Sequence, residues 1–315
     1  MTIKTPVVFI IFNRPEITKK TFSVIREQKP SQLFIIADGP RLGNSADVEN
    51  CKLARDIVEK IDWECEVSTN YSEQNLGCKN RVISGLNWVF EKVDKAIIIE
   101  DDCLAGEDFF IFCENLLDRY AEDERVSVIT GDNFQNGILR GNASYYFSKY
   151  PHIWGWATWK ETSDNFDGDI KLWPKWRISD DFKKKFPTKL ERNFWKKIFD
   201  QSFLGKDDSW GYPLFASIMR QGTYTATPNF NLISNIGFGE TSTHTKDTKN
   251  KLSNVKLSSI DKLTHPTKIE VNFEADNYDF NNNFIDKNLL FPRNIISFPK
   301  RLKNFIVRKI YKSKK

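Results

Sequence analysis

The first 131 residues alternate between short apolar runs and longer stretches with helical periodicity. Three runs are rich in β-branched and aromatic residues and have no polar face, which is typical of strands buried on both sides: 5–12 (TPVVFIIF), 33–39 (LFIIADG) and 96–100 (AIIIE). Helical spacing of apolar residues occurs at 14–28, 46–61, 80–93 and 107–120, and further strands are predicted at 64–70 and 125–131. Alternating strands and helices predict an α/β fold, with a mostly parallel sheet flanked by helices.

Polar residues follow the apolar runs where each predicted strand ends. Asn13 and Arg14 follow the first strand, and Asp38 ends the second. Ligands of parallel sheets gather at the carboxyl ends of the strands, so these side chains are expected to share one site. A loop at 71–81 brings four more candidates to the start of a helix: Asn75, Gly77, Lys79 and Arg81. The cationic side chains of Arg14, Lys79 and Arg81 beside Asp38 suit a bound phosphate ester. A cluster of acids after the fourth strand adds a place for a metal.

The acid cluster consists of Glu100, Asp101 and Asp102, directly after the fourth strand. Adjacent carboxylates repel each other by about 1 kcal/mol in water and by more where water is scarce. A cation would remove that repulsion, and oxygen ligands suit Mg²⁺ or Mn²⁺. The alternative is that the three acids only favour the start of the next helix, which begins near Glu107.

The excess of positive charge is confined to the end of the chain. The formal net charge is +5, yet Ile285 to Lys315 holds ten Lys or Arg and one acid, so the remainder carries −4. A nucleic-acid-binding domain would carry a basic patch on its folded surface. The class of nucleic-acid-binding proteins is therefore not favoured. Within 298–315 the apolar residues fall on one helical face, which predicts a basic amphipathic helix on an anionic membrane surface. The alternative is a helix packed on the body with a solvated basic face.

The sequence predicts no targeting or membrane-spanning segment. No basic start precedes an apolar run, and no run reaches the roughly 18 apolar residues of a membrane span. The five cysteines include no C-x-x-C pair, so neither a disulfide framework nor a zinc site is predicted. A reducing cytoplasm is the expected compartment.

The second half, from Tyr145 onward, is aromatic and less regular. Asp207 and Asp208 precede an apolar helix, so either acid could be a general base or a helix cap. Trp210 lies two residues beyond Asp208 and is expected to contact a sugar ring. The predicted organisation is a nucleotide-sugar half (1–131), an acceptor and catalytic half of the same domain (132–245), a polar extension (246–290) and a membrane-associating tail (291–315).

Four short motifs stand in an order that resembles one enzyme fold family. They are FNR, IADG, IIIEDD and DDSWG, and the resemblance spans roughly residues 5–245. Their order resembles that of GT-A glycosyltransferases, which have a Rossmann-like sheet. It is most similar to the branch that contains N-acetylglucosaminyltransferase I and related bacterial sugar transferases. In that branch the metal motif is a Glu-Asp-Asp variant of Asp-x-Asp.

The resemblance implies a role for each matching residue. Arg14 would contact the nucleotide or its phosphates, and Asp38 would bind the uracil or ribose. Glu100 would hold the ribose side, Asp101 would face the sugar, and Asp102 would coordinate the metal. Asp208 would be the base that deprotonates the acceptor hydroxyl. The resemblance or the strand ends place five further residues beside the donor or metal: Asn13, Asn75, Gly77, Arg81 and His244. Of these, His244 would lie on the metal or diphosphate. His244 could equally be a surface histidine.

The sequence as a whole is interpreted as a metal-dependent, inverting glycosyltransferase. The expected cofactor is Mn²⁺ or Mg²⁺, the donor a UDP-sugar with UDP-GlcNAc favoured by the resemblance, and the acceptor a glycan or lipid-linked glycan. A hexosyl or N-acetylhexosaminyl group would be transferred in bacterial surface polysaccharide biosynthesis, at the inner face of the cell membrane. One alternative is a nucleotidyltransferase that makes nucleotide sugars, although residues 13–16 (NRPE) replace the glycine-rich loop of such enzymes. Another alternative is a non-catalytic, membrane-associated glycan-binding protein.

Overall fold

The computed structural model describes residues 2–239 and 250–285. By its internal contacts the chain divides into two compact units, Met1–Asn272 and Phe273–Lys315. His244 and the predicted tail at 291–315 lie outside the described residues. Within the described ranges, no helix is long and apolar enough to cross a membrane.

An eight-stranded sheet forms the centre of the first unit. The described strands are β1 (Val7–Ile11), β2 (Gln32–Ala37), β3 (Glu66–Tyr71), β4 (Lys95–Glu100), β5 (Cys103–Ala105), β6 (Val126–Thr130), β7 (Tyr145–Ser148), β8 (Trp156–Trp159), β9 (Tyr224–Pro228) and β10 (Ile233–Asn235). The order in the large sheet is β3-β2-β1-β4-β8-β6-β9-β7. Its neighbours pair in parallel except where β8 or β7 is a partner. The predicted α/β class with a mostly parallel sheet is therefore confirmed.

Helices connect and cover these strands. In the first unit they are α1 (Pro15–Gln28), α2 (Ser45–Val58), α3 (Cys78–Phe90), α4 (Glu107–Arg119), α5 (Lys160–Asp164), α6 (Trp173–Trp176), α7 (Asp180–Lys185), α8 (Lys189–Phe203) and α9 (Gly211–Gln221). Helix α1 begins at a proline, whose fixed φ and missing N–H suit a first helical position. Helix α2 begins after Asn44, whose side chain accepts a hydrogen bond from the Asp47 amide.

Alternate residues of the central strands enter two separate cores. In β1, Val7 and Phe9 belong to a core that also contains side chains of α1, α2 and α4. Val8 and Ile10 belong to a second core, with side chains of α3 and α9. Successive strand residues point to opposite faces, so a sheet covered on both sides requires apolar residues at every position. This explains the uninterrupted apolar runs and leaves the strand ends as the place for polar groups.

The aromatic second half contributes a strand that the periodicity did not predict. β8 inserts between β4 and β6 and runs antiparallel to both, with Ala96 opposite Thr158 and Ile129 opposite Ala157. A small two-stranded sheet pairs β5 with β10, and the Ile236 amide donates to the backbone oxygen of Asp102 at 2.8 Å. Chain segments from both halves therefore meet beside the acid cluster.

In the second unit, α10 (Phe273–Asp279) continues into one π-helical turn, Phe280–Phe284. The asparagines at 281–283 lie within this helical turn. The side-chain amides of Asn281 and Asn282 each donate to the backbone oxygen four residues earlier at 2.7 Å, which supports the helical turn.

Candidate active site

A cavity of about 200 Å³ opens beside the carboxyl ends of β1, β2 and β4 and the start of α3. Three guanidinium groups and four carboxyl groups line it: those of Arg14, Arg41, Arg81, Asp38, Glu100, Asp101 and Asp208. Seven polar side chains predicted for the site line this cavity, namely those of Arg14, Asp38, Asn75, Arg81, Glu100, Asp101 and Asp208, and the predicted Gly77 lines it as well. Asn13 and Asp102 lie next to lining residues, and His244 is outside the described residues.

Arg14 forms ion pairs with two of the three clustered acids. Its Nη2 pairs with Asp101 Oδ1, and its Nη1 donates to Asp102 Oδ2 at 3.0 Å. Burial alone would lower the pKa of Arg14, but the charges of Asp101 and Asp102 raise it above its usual value. An arginine 87 residues away in sequence from Asp101 therefore supplies positive charge where a metal alone was expected.

The acid cluster keeps an excess of negative charge despite Arg14. Burial raises the pKa of Asp101, and Arg14 opposes this rise. Burial and then the charges of Asp102 and Asp101 raise the pKa of Glu100. Within the described residues Glu100 forms no ion pair. An additional cation near Glu100 would therefore favour its ionised form.

A divalent metal that is held largely by the phosphates of a bound substrate fits this cluster. A metal that is held by protein side chains alone does not. Among the described residues, no three His, Cys, Asp or Glu side chains are grouped so as to hold a metal ion. Mg²⁺, however, commonly uses only one or two protein carboxylates together with substrate phosphates. Asp102 and Glu100 are the carboxylates that could fill this role. Gly237 lies so close to Asp102 that a Cβ there would overlap the carboxylate, so the backbone after β10 covers the aspartate.

Asp38 organises the loop that precedes α3. Its Oδ1 accepts hydrogen bonds from the amides of Gly39 (2.8 Å) and Leu76 (3.0 Å), and its Oδ2 accepts one from Asn75 Nδ2 (3.0 Å). Burial raises the pKa of Asp38, and these backbone donors oppose the rise. Asp38 and Asn75 are therefore held rigidly at the cavity wall, where they could orient a ligand.

Arg81 is almost fully buried and is fixed from one side. Its Nη2 donates to the backbone oxygen of Asn70 at 2.6 Å and to Asn70 Oδ1 at 2.8 Å. Among the described residues its Nε has no hydrogen-bond partner, and the whole residue is only 5% exposed. Burial lowers the pKa of Arg81, and the charge of Asp38 opposes this. The cavity wall thus contains an arginine with one unused donor.

Asp208 lies against the first turn of α3. The Cys78 amide donates to its Oδ2 at 2.8 Å, and the Lys79 amide donates to its Oδ1 at 3.3 Å. Gly77 precedes these amides with φ 79° and ψ 159°, a backbone conformation that is essentially restricted to glycine. Asp208 therefore caps a helix from 130 residues away in sequence while also lining the cavity.

Asn13 does not line the cavity; it holds Asp47 at the start of α2. Asn13 Nδ2 donates to Asp47 Oδ1 at 2.7 Å, and Arg41 Nη2 donates to the same oxygen at 2.8 Å. Arg41 in turn lines the cavity and was not predicted for the site. Its position three residues after the acid that follows β2 is a signal that could have identified it.

This Asp47 network predicts a loss of stability in acid. The Arg41 guanidinium, more than the Asn13 amide, lowers the pKa of Asp47 to about 2, although burial opposes the shift. The unfolded value is about 3.9. The stabilisation is therefore complete above about pH 4 and is lost as the pH falls towards 2. Arg41 is half exposed, so water screens its charge. We therefore expect the Asp47 network to contribute only about 1–2 kcal/mol to the free energy of unfolding.

The measurement is urea unfolding of the parent protein and of Asp47→Asn at about pH 6 and about pH 2. The parent should be the more stable protein at the higher pH, and this advantage should shrink by about 1–2 kcal/mol at the lower pH. An advantage of equal size at both pH values would contradict the assigned network.

Trp210 belongs to the core and does not face the cavity. It is 3% exposed and stacks on Trp156 with ring centroids 5.7 Å apart. The expectation that Trp210 contacts a sugar ring is therefore wrong, because the tryptophan anchors α9 against β8. Trp154 is less buried and contacts the rings of Phe134 and Phe238 at 5.2 and 5.7 Å.

Comparisons with known proteins add distant similarities of fold. No protein-family model matches the sequence, and no curated protein matches it either. Among solved structures, the mannosyltransferase PcManGT from Pyrobaculum calidifontis, in complex with GDP-Man and Mn²⁺, is 11% identical; the match covers 69% of this chain and 74% of that one, with a TM-score of 0.38. The inositol-1-phosphate CTP transferase from T. maritima is 10% identical over 72% of this chain and 85% of that chain, with a TM-score of 0.37.

A third similar structure is a UDP-glucose pyrophosphorylase complexed with UDP-glucose. It is 12% identical over 51% of this chain and 78% of that chain, with a TM-score of 0.32. The similar structures thus include both a sugar transferase and nucleotidyltransferases. All three TM-scores lie below 0.5.

Proposed function

We propose that this chain is a glycosyltransferase that moves a sugar from a nucleotide sugar, with UDP as the carrier, to a hydroxyl group of a glycan. The observation that carries the proposal is the convergence of seven residues, predicted from separate strand ends and motifs, on one cavity. A structural role alone would not require guanidinium and carboxyl groups from β1, β2, β4, α3 and the loop before α9 to meet at an opening.

The order of these groups along the sheet edge matches the parts of a nucleotide sugar. Strands β2, β1 and β4 are consecutive neighbours, so Asp38, Arg14 and Glu100 follow one another across about 10 Å. Asp38 and Asn75 offer polar groups to a nucleoside at one end. Arg14 can offer remaining N–H donors to phosphate oxygens in the middle. The sugar would then lie beyond β4, on the side of β8 and β6.

Group transfer at such a site requires a proton acceptor and charge stabilisation. Asp208 would accept the proton of the acceptor hydroxyl as its oxygen forms a bond to the anomeric carbon and the bond to the diphosphate breaks. Attack opposite the leaving group inverts the anomeric configuration. Arg14 would stabilise the negative charge that develops on the leaving oxygens.

We further propose a divalent cofactor, Mn²⁺ or Mg²⁺, with Asp102 as its protein ligand beside Glu100. When bound, such a metal supplies Lewis-acid stabilisation of the leaving diphosphate. His244 remains a proposed second ligand that lies outside the described residues. The acceptor, a glycan or lipid-linked glycan, and a membrane contact through 291–315 at the cytoplasmic face also belong to this proposal.

The test is release of UDP from a panel of UDP-sugars that includes UDP-GlcNAc, assayed with Mn²⁺ and with a chelator. We expect release from at least one donor. Asp38→Ala should lower kcat/KM about 10- to 100-fold, because it removes the acceptor of three hydrogen bonds at the cavity wall. Asp56→Ala is the matched control, since Asp56 pairs with Lys52 on the exposed side of α2.

Two other outcomes would replace the proposal. Formation of pyrophosphate from a nucleoside triphosphate and a sugar 1-phosphate, without UDP release, would indicate a nucleotidyltransferase. Binding of glycans without turnover of any nucleotide sugar would indicate a non-catalytic binding protein.

A further inference from the structure

The start of α3 combines several features of a site for an anion. α3 has 13 residues, and its N-cap residue, Gly77, has no side chain with which to cap it. The first amides of a helix lack partners within the helix and carry a partial positive charge, so they attract anions. Here the amides of Cys78 and Lys79 both donate to one carboxylate, that of Asp208. An anionic group with two oxygens already occupies this position.

Arg81 provides a second, independent observation at the same place. It lies one turn into α3 and lines the same cavity as Gly77, Cys78 and Asp208. It is 95% buried, since its exposure is 5%, and within the part of the chain that the structure describes its Nε is without a hydrogen-bond partner. An unsatisfied buried donor is unfavourable, and a charged group makes this worse. Asp38, the nearby acid, is instead bonded to the loop amides, so it leaves the Nε unsatisfied.

We propose that the start of α3, together with Arg81, binds a phosphoryl group of the ligand, and that Asp208 occupies this position until the phosphoryl group displaces it. The identification of the ligand as a nucleotide sugar rests on the proposed function, whereas the competition between Asp208 and a phosphoryl group does not. A diphosphate carries more negative charge in total than one carboxylate and has more acceptor oxygens. It could therefore accept from the two amides and from Arg81 together.

Asp208 is placed where it can move without disturbing a core. It belongs to the segment between α8, which ends at Phe203, and α9, which begins at Gly211. Leu204 in this segment is 61% exposed, and Gly205 has φ 62°. The buried anchor, Trp210, lies two residues beyond Asp208. Displacement of Asp208 would thus release the proposed base only when a phosphate-bearing donor is bound.

The experiment is calorimetric titration with inorganic pyrophosphate in metal-free buffer. Without metal, pyrophosphate cannot bind through a metal ion at the acid cluster. Asp208→Ala should bind pyrophosphate about tenfold more tightly than the parent, because the ligand no longer has to displace two hydrogen bonds. Asp207→Ala removes the same charge one residue away, where the carboxylate accepts from the Ser209 amide at 3.2 Å and not from the start of α3, and should leave the affinity unchanged. Adding Arg81→Met to Asp208→Ala should abolish this gain in affinity for pyrophosphate.

Equal effects of Asp207→Ala and Asp208→Ala would overturn the proposal, since a general change of charge would then explain both. No gain with Asp208→Ala would also overturn it. A second readout uses the unmodified chain: pyrophosphate should shift the backbone amide signals of Cys78 and Lys79 in NMR spectra, and unshifted signals at saturation would contradict the site. Because neither readout involves sugar transfer, absence of glycosyltransferase activity would leave this result standing.

Discussion

Arg14→Met is expected to lower the free energy of unfolding by about 3–5 kcal/mol, because it leaves a buried carboxylate without its counter-charge. Asp101 is 2% exposed, and the side chain of Arg14 is 17% exposed. The same guanidinium also pairs with Asp102. Removing one partner of a buried ion pair is far more destabilising than removing an exposed pair. Urea unfolding near neutral pH measures the difference.

Two further variants show whether the buried charge is the cause. Arg26→Met removes an arginine of the same size from α1, where it pairs with exposed Asp62, and should leave the urea midpoint unchanged within error. Arg14→Met combined with Asp101→Asn should recover much of the lost stability, because the uncompensated charge is gone. A loss in Arg14→Met no larger than that in Arg26→Met would contradict the role of Arg14.

Asp208→Ala is expected to lower kcat for sugar transfer about 10²- to 10⁴-fold, the usual contribution of a general base. If the carboxylate also competes with the donor phosphates, the KM for the donor should fall in the same variant. A lower kcat with a lower KM would separate Asp208 from a residue that only stabilises α3. Steady-state kinetics with the donor identified by UDP release provides both constants.

Asp207→Ala is the matched control for this experiment. It removes a neighbouring acid that has no contact with the α3 amides. A greater loss of kcat in Asp207→Ala than in Asp208→Ala would assign the base to Asp207. Full turnover in Asp208→Ala would show that another group accepts the proton.

Much of the candidate site could be predicted because it depends on local pattern. The apolar runs of β1, β2 and β4 identify where strands end, and the residues at those ends were candidates for that reason. Parallel strands in one sheet have their carboxyl ends at one edge, so Arg14, Asp38 and Glu100 were expected to be neighbours. The pairing of β1 with both β2 and β4 fulfils that expectation.

The partners of these residues could not be predicted in the same way. The salt bridges of Arg14, the contact of Asp208 with α3 and the bond from Asn13 to Asp47 join residues far apart in sequence. Periodicity carries no information about which distant group a side chain will meet. Arg41 was missed because it lies in a loop without regular spacing, and Trp210 was assigned to a sugar because aromatic residues serve both cores and ligands.

The sequence by itself determined the α/β class, the positions of the main strands and the concentration of charge at their ends. These depend on the burial of both faces of a sheet, which is written into each strand separately. Only the tertiary structure decided that β8 separates β4 from β6, that an arginine pairs with two of the clustered acids and that Asp208 caps α3. Those features depend on which distant segments pack together, and packing free energy belongs to the whole chain and not to any one segment of it.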